Sequence, residues 1–161
     1  MAAVSTSSTR ERTTMADNNN AAAANLPKAP HPALRTLDWM VGSWEDSGPL
    51  ASGTSTSEWM EGGFFLVNHI DFHTPGDRRI KAVEYIGFDE DTQTLRSHLM
   101  DNHGANFTYT YEIDEDGFTI WFGEKDSENF YRGTFGADRT SYRGKWQWPG
   151  GGYDLDAKKV S

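Results

Sequence analysis

The side chains best suited to proton chemistry gather in Ser97-His98-Leu99-Met100-Asp101-Asn102-His103-Gly104. An imidazole that titrates near neutral pH beside a carboxylate is the minimum equipment for general acid/base catalysis, so His98, Asp101 and His103 are the candidate catalytic residues. On a regular strand His98 and Asp101 have opposite parity, and they converge only if the strand bulges or ends near Met100. The ordinary reading of Asp101-Asn102-His103-Gly104 is an Asx-type turn. A second pointed pattern is His69-Ile70-Asp71-Phe72-His73. Residues two apart on a strand share a face, so His69, Asp71 and His73 offer three donors of the type that hold zinc or ferrous iron. Phe64, Leu66, Ile70 and Phe72 take the opposite parity and read as the core-facing set. The His-Asp-His face is then wet, these residues are only weak metal candidates, and no metal is expected.

Polar groups on otherwise apolar parity carry more weight, because a buried polar group must find a partner. Asn68 interrupts the Leu66 to Phe72 run, Ser97 sits between Leu95 and Leu99, and Tyr85 follows Val83. Tyr109 and Tyr111 bring hydroxyls to the same interior. In a barrel with a cavity, such groups orient a mostly apolar guest. The expected ligand-binding wall is Trp59, Phe64, Leu66, Asn68, Tyr85, Ser97, Leu99, Tyr109, Tyr111 and Trp146. Glu58, Glu84 and Glu112 are single strand carboxylates and read as facing water. Gly150-Gly151-Gly152 precedes no helix and is not a phosphate loop.

These residues need elements to position them. Between 105 and 148, apolar and aromatic residues recur at every second position: Phe107, Tyr109, Tyr111 and Ile113; Phe118, Ile120 and Phe122; Tyr142, Trp146 and Trp148. Turn-forming clusters cut the chain into strands near 43–48, 53–60, 63–73, 79–88, 93–101, 105–113, 117–123, 128–136, 139–148 and 152–160. No helix long enough for a parallel crossover lies between them. The pattern predicts an all-β fold, an antiparallel up-and-down barrel of about ten strands, too wide for side chains alone to fill. Leu34, Leu37 and Val41, with Pro32 at the start and Gly42 as the stop, predict a short helical turn that plugs one end.

Composition narrows the partners. The 161 residues carry a formal charge of -9 and no cysteine. Residues 1–30 hold three basic and two acidic groups, so the remainder carries a net of -10. Such a surface repels phosphate backbones and anionic lipid, and neither nucleic acid nor membrane is an expected partner. Absent cysteine excludes disulfides and thiolate chemistry and fits a cytoplasmic protein. All twenty-one aromatic residues lie at or after Trp39. Residues 1–30, rich in Ser, Thr, Asn and Ala, read as a disordered leader, with Met15 an alternative start; residues 31–161 form the barrel domain.

Four segments carry a family likeness: Leu37-Asp38-Trp39-Met40-Val41-Gly42-Ser43-Trp44, Glu58-Trp59-Met60-Glu61-Gly62-Gly63-Phe64-Phe65-Leu66-Val67, Tyr85-Ile86-Gly87-Phe88-Asp89 and Asp101-Asn102-His103-Gly104. From about His31 onward the chain resembles the DUF1579 family, mostly bacterial proteins with a lipocalin-like (calycin) barrel and no settled activity. Gly42-Ser43-Trp44 is also similar to the G-x-W of lipocalins and of the haem-binding nitrobindins. That likeness implies that Trp44 closes the barrel floor against a basic residue from a late strand, Arg132 or Arg143. Nitrobindins ligate haem through a His near the C-terminus; no His follows His103 here, and no cofactor is expected. The leading expectation is a soluble barrel binding a small, largely apolar or aromatic molecule inside. The alternatives are a cofactor-independent cyclase, isomerase or hydrolase using the His/Asp pair, and a filled barrel acting through its surface or as a homodimer.

Overall fold

The computed structural model describes residues 21–161, and the expectations for the first twenty residues, Met15 among them, lie outside that span. Residues 21–29 are exposed, and His31 stacks its ring on Phe88 with centroids 3.6 Å apart. Eleven strands follow among the described residues: β1 (Gly42–Ser47), β2 (Ser52–Trp59), β3 (Phe65–Thr74), β4 (Arg78–Asp89), β5 (Thr94–Asp101), β6 (Asn106–Ile113), β7 (Gly117–Phe122), β8 (Phe130–Phe135), β9 (Ser141–Trp148), β10 (Gly151–Asp154) and β11 (Asp156–Lys159). Each strand from β1 to β9 pairs antiparallel with the next, and β11 joins β9 back to β1. Both β10 and β11 lie on the same edge of β9, interrupted only at Leu155, whose N–H still donates to Gly144 O at 3.0 Å. They amount to one broken stave, so the sheet closes as a ten-strand antiparallel barrel. Closure removes the free edges that an open sheet would expose.

Pro32–Met40 forms a 3-10 helix rather than an α-turn. Its three-residue period aligns Leu34, Leu37 and Met40, and Leu34 and Leu37 are buried. The His31 ring caps its start, Nδ1 accepting from Ala33 N–H at 3.1 Å. Leu34 and Leu37 pack with Leu66, Ile86, Leu95 and Tyr111, and this apolar cluster is the plug expected at one end of the barrel. A second cluster, built on Phe118, Tyr131 and Leu155, gathers Trp39, Phe135 and Tyr142 along the opposite wall.

That wall is thick with rings because one strand pair makes room for them. Gly133 of β8 faces Gly144 of β9. A Cβ on Gly144 would overlap the Tyr131 hydroxyl, which reaches past it to donate to Leu155 O at 2.5 Å. A Cβ on Gly133 would overlap the Phe118 ring. The paired glycines therefore let two inward rings lie against the sheet and leave space beyond them. Among the described residues, no helix is long and apolar enough to cross a membrane.

Candidate functional site

Inside the barrel lies a cavity of about 460 Å³. Met40, Trp39 and Trp44 form its inner end, while Leu50, Phe122 and Trp148 line it where those side chains remain partly exposed, at the strand ends away from the plug. Between them the lining is mostly aromatic and aliphatic, including Ile70, Phe72, Leu99, Phe118, Tyr131 and Trp146. The polar lining is sparse and converges on two carboxyl groups, Asp46 and Glu84. Both are buried, and no Lys, Arg or His lines the cavity.

Glu84 is the correction of largest consequence. It was expected to face water, yet it is only 3% exposed and points into the barrel. The even-numbered residues of β4 face inward, so Ile80, Ala82, Glu84 and Ile86 share the interior. Around Glu84 the two neighbouring strands, β3 and β5, and β6 beyond β5 supply hydroxyl and amide groups. Ser97 Oγ donates to Oε2 at 2.8 Å, and Tyr111 Oη donates to Oε1 at 2.8 Å and Oε2 at 3.0 Å. Asn68 lies directly across the ladder from Glu84 and accepts from Ser57 Oγ at 3.1 Å. Burial pushes the Glu84 carboxyl above the usual carboxylate range, and the hydroxyls of Ser97 and Tyr111 with the Asn68 side chain offset that only in part.

Asp46 on β1 is the second centre. Ser55 Oγ donates to Oδ2 at 3.0 Å and Tyr142 Oη to Oδ1 at 3.3 Å. Burial raises its pKa to about 6, against the smaller opposing effect of those two hydroxyls. Trp44 and Tyr142 stand beside it with ring centroids 5.5 Å apart, and Trp39 crosses Trp44 edge-on at 5.7 Å. Trp39 Nε1 is the one buried side-chain polar atom among the described residues with no hydrogen-bond partner. Burial raises the phenol pKa of Tyr109, Tyr131 and Tyr142 as well, so these groups stay neutral donors.

The ten residues expected to form the wall fall into two groups. Asn68, Leu99, Tyr109, Tyr111 and Trp146 line the cavity; Trp59, Phe64, Leu66, Tyr85 and Ser97 do not. Trp59 closes over the plug, its Nε1 donating to Asp38 at 3.0 Å and its ring lying 4.3 Å from the Arg35 guanidinium. Phe64 precedes β3 in the turn after β2, and Leu66 is locked in the plug cluster. Ser97 stands behind the cavity as a donor to Glu84. Tyr85 faces outward, 40% exposed, because the inner parity of β4 is even.

The proton-chemistry candidates disperse. His98 points off the outer face and contacts Asn106 Oδ1. Asp101 caps the β5–β6 turn, accepting from His103 N–H and Ala105 N–H at 2.8 Å each, as an Asx-type turn requires. The His103 ring instead meets Arg79 O at 2.9 Å. None of the three lines the cavity. His69 and His73 lie on the outer face of β3, where Asp71 is held by Arg79 through two hydrogen bonds of 2.5 and 2.8 Å. Among the described residues no three such groups converge as a metal-holding set.

Trp44 does close the barrel floor, buried, with Nε1 donating to Met40 O at 2.9 Å. Its basic companion is neither Arg132 nor Arg143. Arg132 is held by Asp114 at 2.6 Å, and the cation over the Trp44 ring is Lys159 Nζ, 5.6 Å from the centroid. Lys159 is the direct partner of Trp44 in the β1–β11 ladder, so register brings the two together. No known family model matches the chain, and no curated protein does so.

Proposed function

We propose that this protein binds a small, largely apolar or aromatic molecule inside its barrel. The observation that carries the reading is the combination of an open-ended cavity of about 460 Å³ with mostly aromatic walls and a few convergent polar groups. Pockets that bind small ligands have this size and this balance, with the apolar wall supplying affinity and the polar groups fixing orientation. The likeness of Gly42-Ser43-Trp44 to the lipocalin opening motif supports the same reading, while the likeness of four segments to the DUF1579 family bears on the barrel alone. Dispersal of His98, Asp101 and His103 over the outer surface and a turn weighs against the His/Asp enzyme.

A neutral fluorophore, N-phenyl-1-naphthylamine, tests it. Saturable binding of one dye per chain with quenching of tryptophan emission is expected, because Trp39, Trp44, Trp146 and Trp148 all line the cavity. Ala82 faces the cavity and is buried, so Ala82→Leu should weaken the dye by reducing its space, and Tyr109→Ala should alter its affinity. Absence of saturable binding, or binding indifferent to both substitutions, overturns the assignment.

A further inference from the structure

The cavity holds two carboxyl groups and no basic side chain. Neither Asp46 nor Glu84 takes part in an ion pair, and the six salt bridges among the described residues lie elsewhere. A carboxylate taken from water without a countercharge is costly, and a site that only needed hydrogen bonds could use an amide in its place. An anionic guest would sit against these carboxyls with no cation lining the cavity to offset it. A cationic guest would supply the missing countercharge.

The two carboxyls are not equivalent. Both Glu84 oxygens already receive hydroxyls from Ser97 and Tyr111 at 3.0 Å or less. Asp46 receives one hydroxyl on each oxygen, the Tyr142 contact being long at 3.3 Å, which leaves lone pairs open. Beside it stand the rings of Trp44, Tyr142 and Trp39, all cavity-lining and mutually within 5.8 Å. A carboxylate set among aromatic rings is the chemistry that recognises an ammonium group, and Lys159 Nζ, lying 5.6 Å from the Trp44 centroid, shows that one of these rings already accommodates a cation. Building on the ligand-binding reading, we infer that the guest is an amine with an aromatic or other apolar body, its protonated nitrogen seated at Asp46 beside Trp44 and Tyr142.

Three probes of similar shape separate the possibilities: 2-phenylethylamine, 2-phenylethanol and 3-phenylpropionate. None absorbs where tryptophan is excited, so tryptophan fluorescence and calorimetry follow all three. The amine should bind about tenfold or more tightly than the alcohol, and the propionate more weakly than the alcohol. The amine stays protonated from pH 5 to 8, so its affinity should climb as Asp46 loses its proton and level off above about 6. The groups facing Asp46 are the Ser55 hydroxyl from β2, the Tyr142 hydroxyl from β9 and, through its charge, the Tyr131 phenol from β8; Ala157 of β11 is apolar. The phenols remain neutral in that range, and the other carboxyl in the cavity is Glu84, whose pKa burial also raises.

Asp46→Asn should remove the amine's advantage, bringing it to about the affinity that the alcohol has for the same variant. Should that variant fail to fold, the amine's advantage over the alcohol must still rise with pH in the unaltered protein as the cavity carboxyls lose their protons. Alcohol or propionate binding as tightly as the amine overturns the inference, as does an amine advantage that survives Asp46→Asn or a flat pH profile. If the naphthylamine dye saturates while the amine shows no advantage, this inference alone fails. If the dye does not bind either, the ligand-binding reading fails with it.

Discussion

Asp46→Asn also probes the energetics of the empty barrel. The folded Asp46 carboxyl holds its proton up to about pH 6, whereas an unfolded aspartate releases it near 3.8. Between those values the folded state binds more protons than the unfolded one, so stability falls as pH rises through the window. The contribution is fully present below pH 3.8 and lost above about 6. The gap corresponds to about 3 kcal/mol at most. Asparagine cannot ionise, and the Ser55 and Tyr142 hydroxyls can each turn to donate to its oxygen or accept from its amide. The variant should therefore match the parent near pH 3.5 and exceed it by up to about 3 kcal/mol at pH 8, roughly 6–12 °C in Tm for a chain of this size. Urea unfolding at a series of pH values measures both proteins, and the difference between them isolates Asp46 from Glu84, whose raised pKa acts in the same direction. A variant less stable than the parent by the same amount at every pH would refute the reasoning. It would mean that Asp46 is ionised without penalty and that its hydrogen bonds are what matter.

Two further substitutions test the frame around the cavity. Leu37, fully buried in the plug, should cost about 2–5 kcal/mol when cut to alanine, read as a lower urea midpoint with an unchanged slope; a loss below 1 kcal/mol would show that the 3-10 helix is not part of the cooperative core. Gly144→Ala should destabilise by about 1–3 kcal/mol or more, since the new methyl displaces the Tyr131 hydroxyl from Leu155 O, and tyrosine near-ultraviolet dichroism should change with it; unaltered stability would refute the close approach.

Much of the barrel is legible in the chain. Strict alternation through Tyr109 and Tyr111, then Phe118, Ile120 and Phe122, determines which faces turn inward on β6 and β7, because the pleat has a period of two and any slip would expose the whole apolar set. The plug is equally visible in Leu34 and Leu37. β4 is harder. Its even positions, Ile80, Ala82, Ile86 and Phe88, outweigh Val83 and Tyr85, but Glu84 in their midst makes the apolar parity look broken. A carboxylate on a strand reads as solvated unless its partners are known, and those partners are Ser97, Tyr111 and Asn68 on two neighbouring strands and the one beyond.

The His98, Asp101 and His103 cluster shows the opposite error. Nearness in sequence suggests a shared site, while a turn and an alternating strand send the three groups to different surroundings. Asp46 and Tyr142, in contrast, are 96 residues apart and meet only because β9 and β11 close the sheet against β1. Strand order, the buried plug and most inward parities can be read from the chain, since these depend on local turn chemistry and a two-residue period. Only the closed tertiary structure decided that two carboxyls would share one interior without a countercharge, because burial and neighbouring charge depend on which distant strands the barrel brings together.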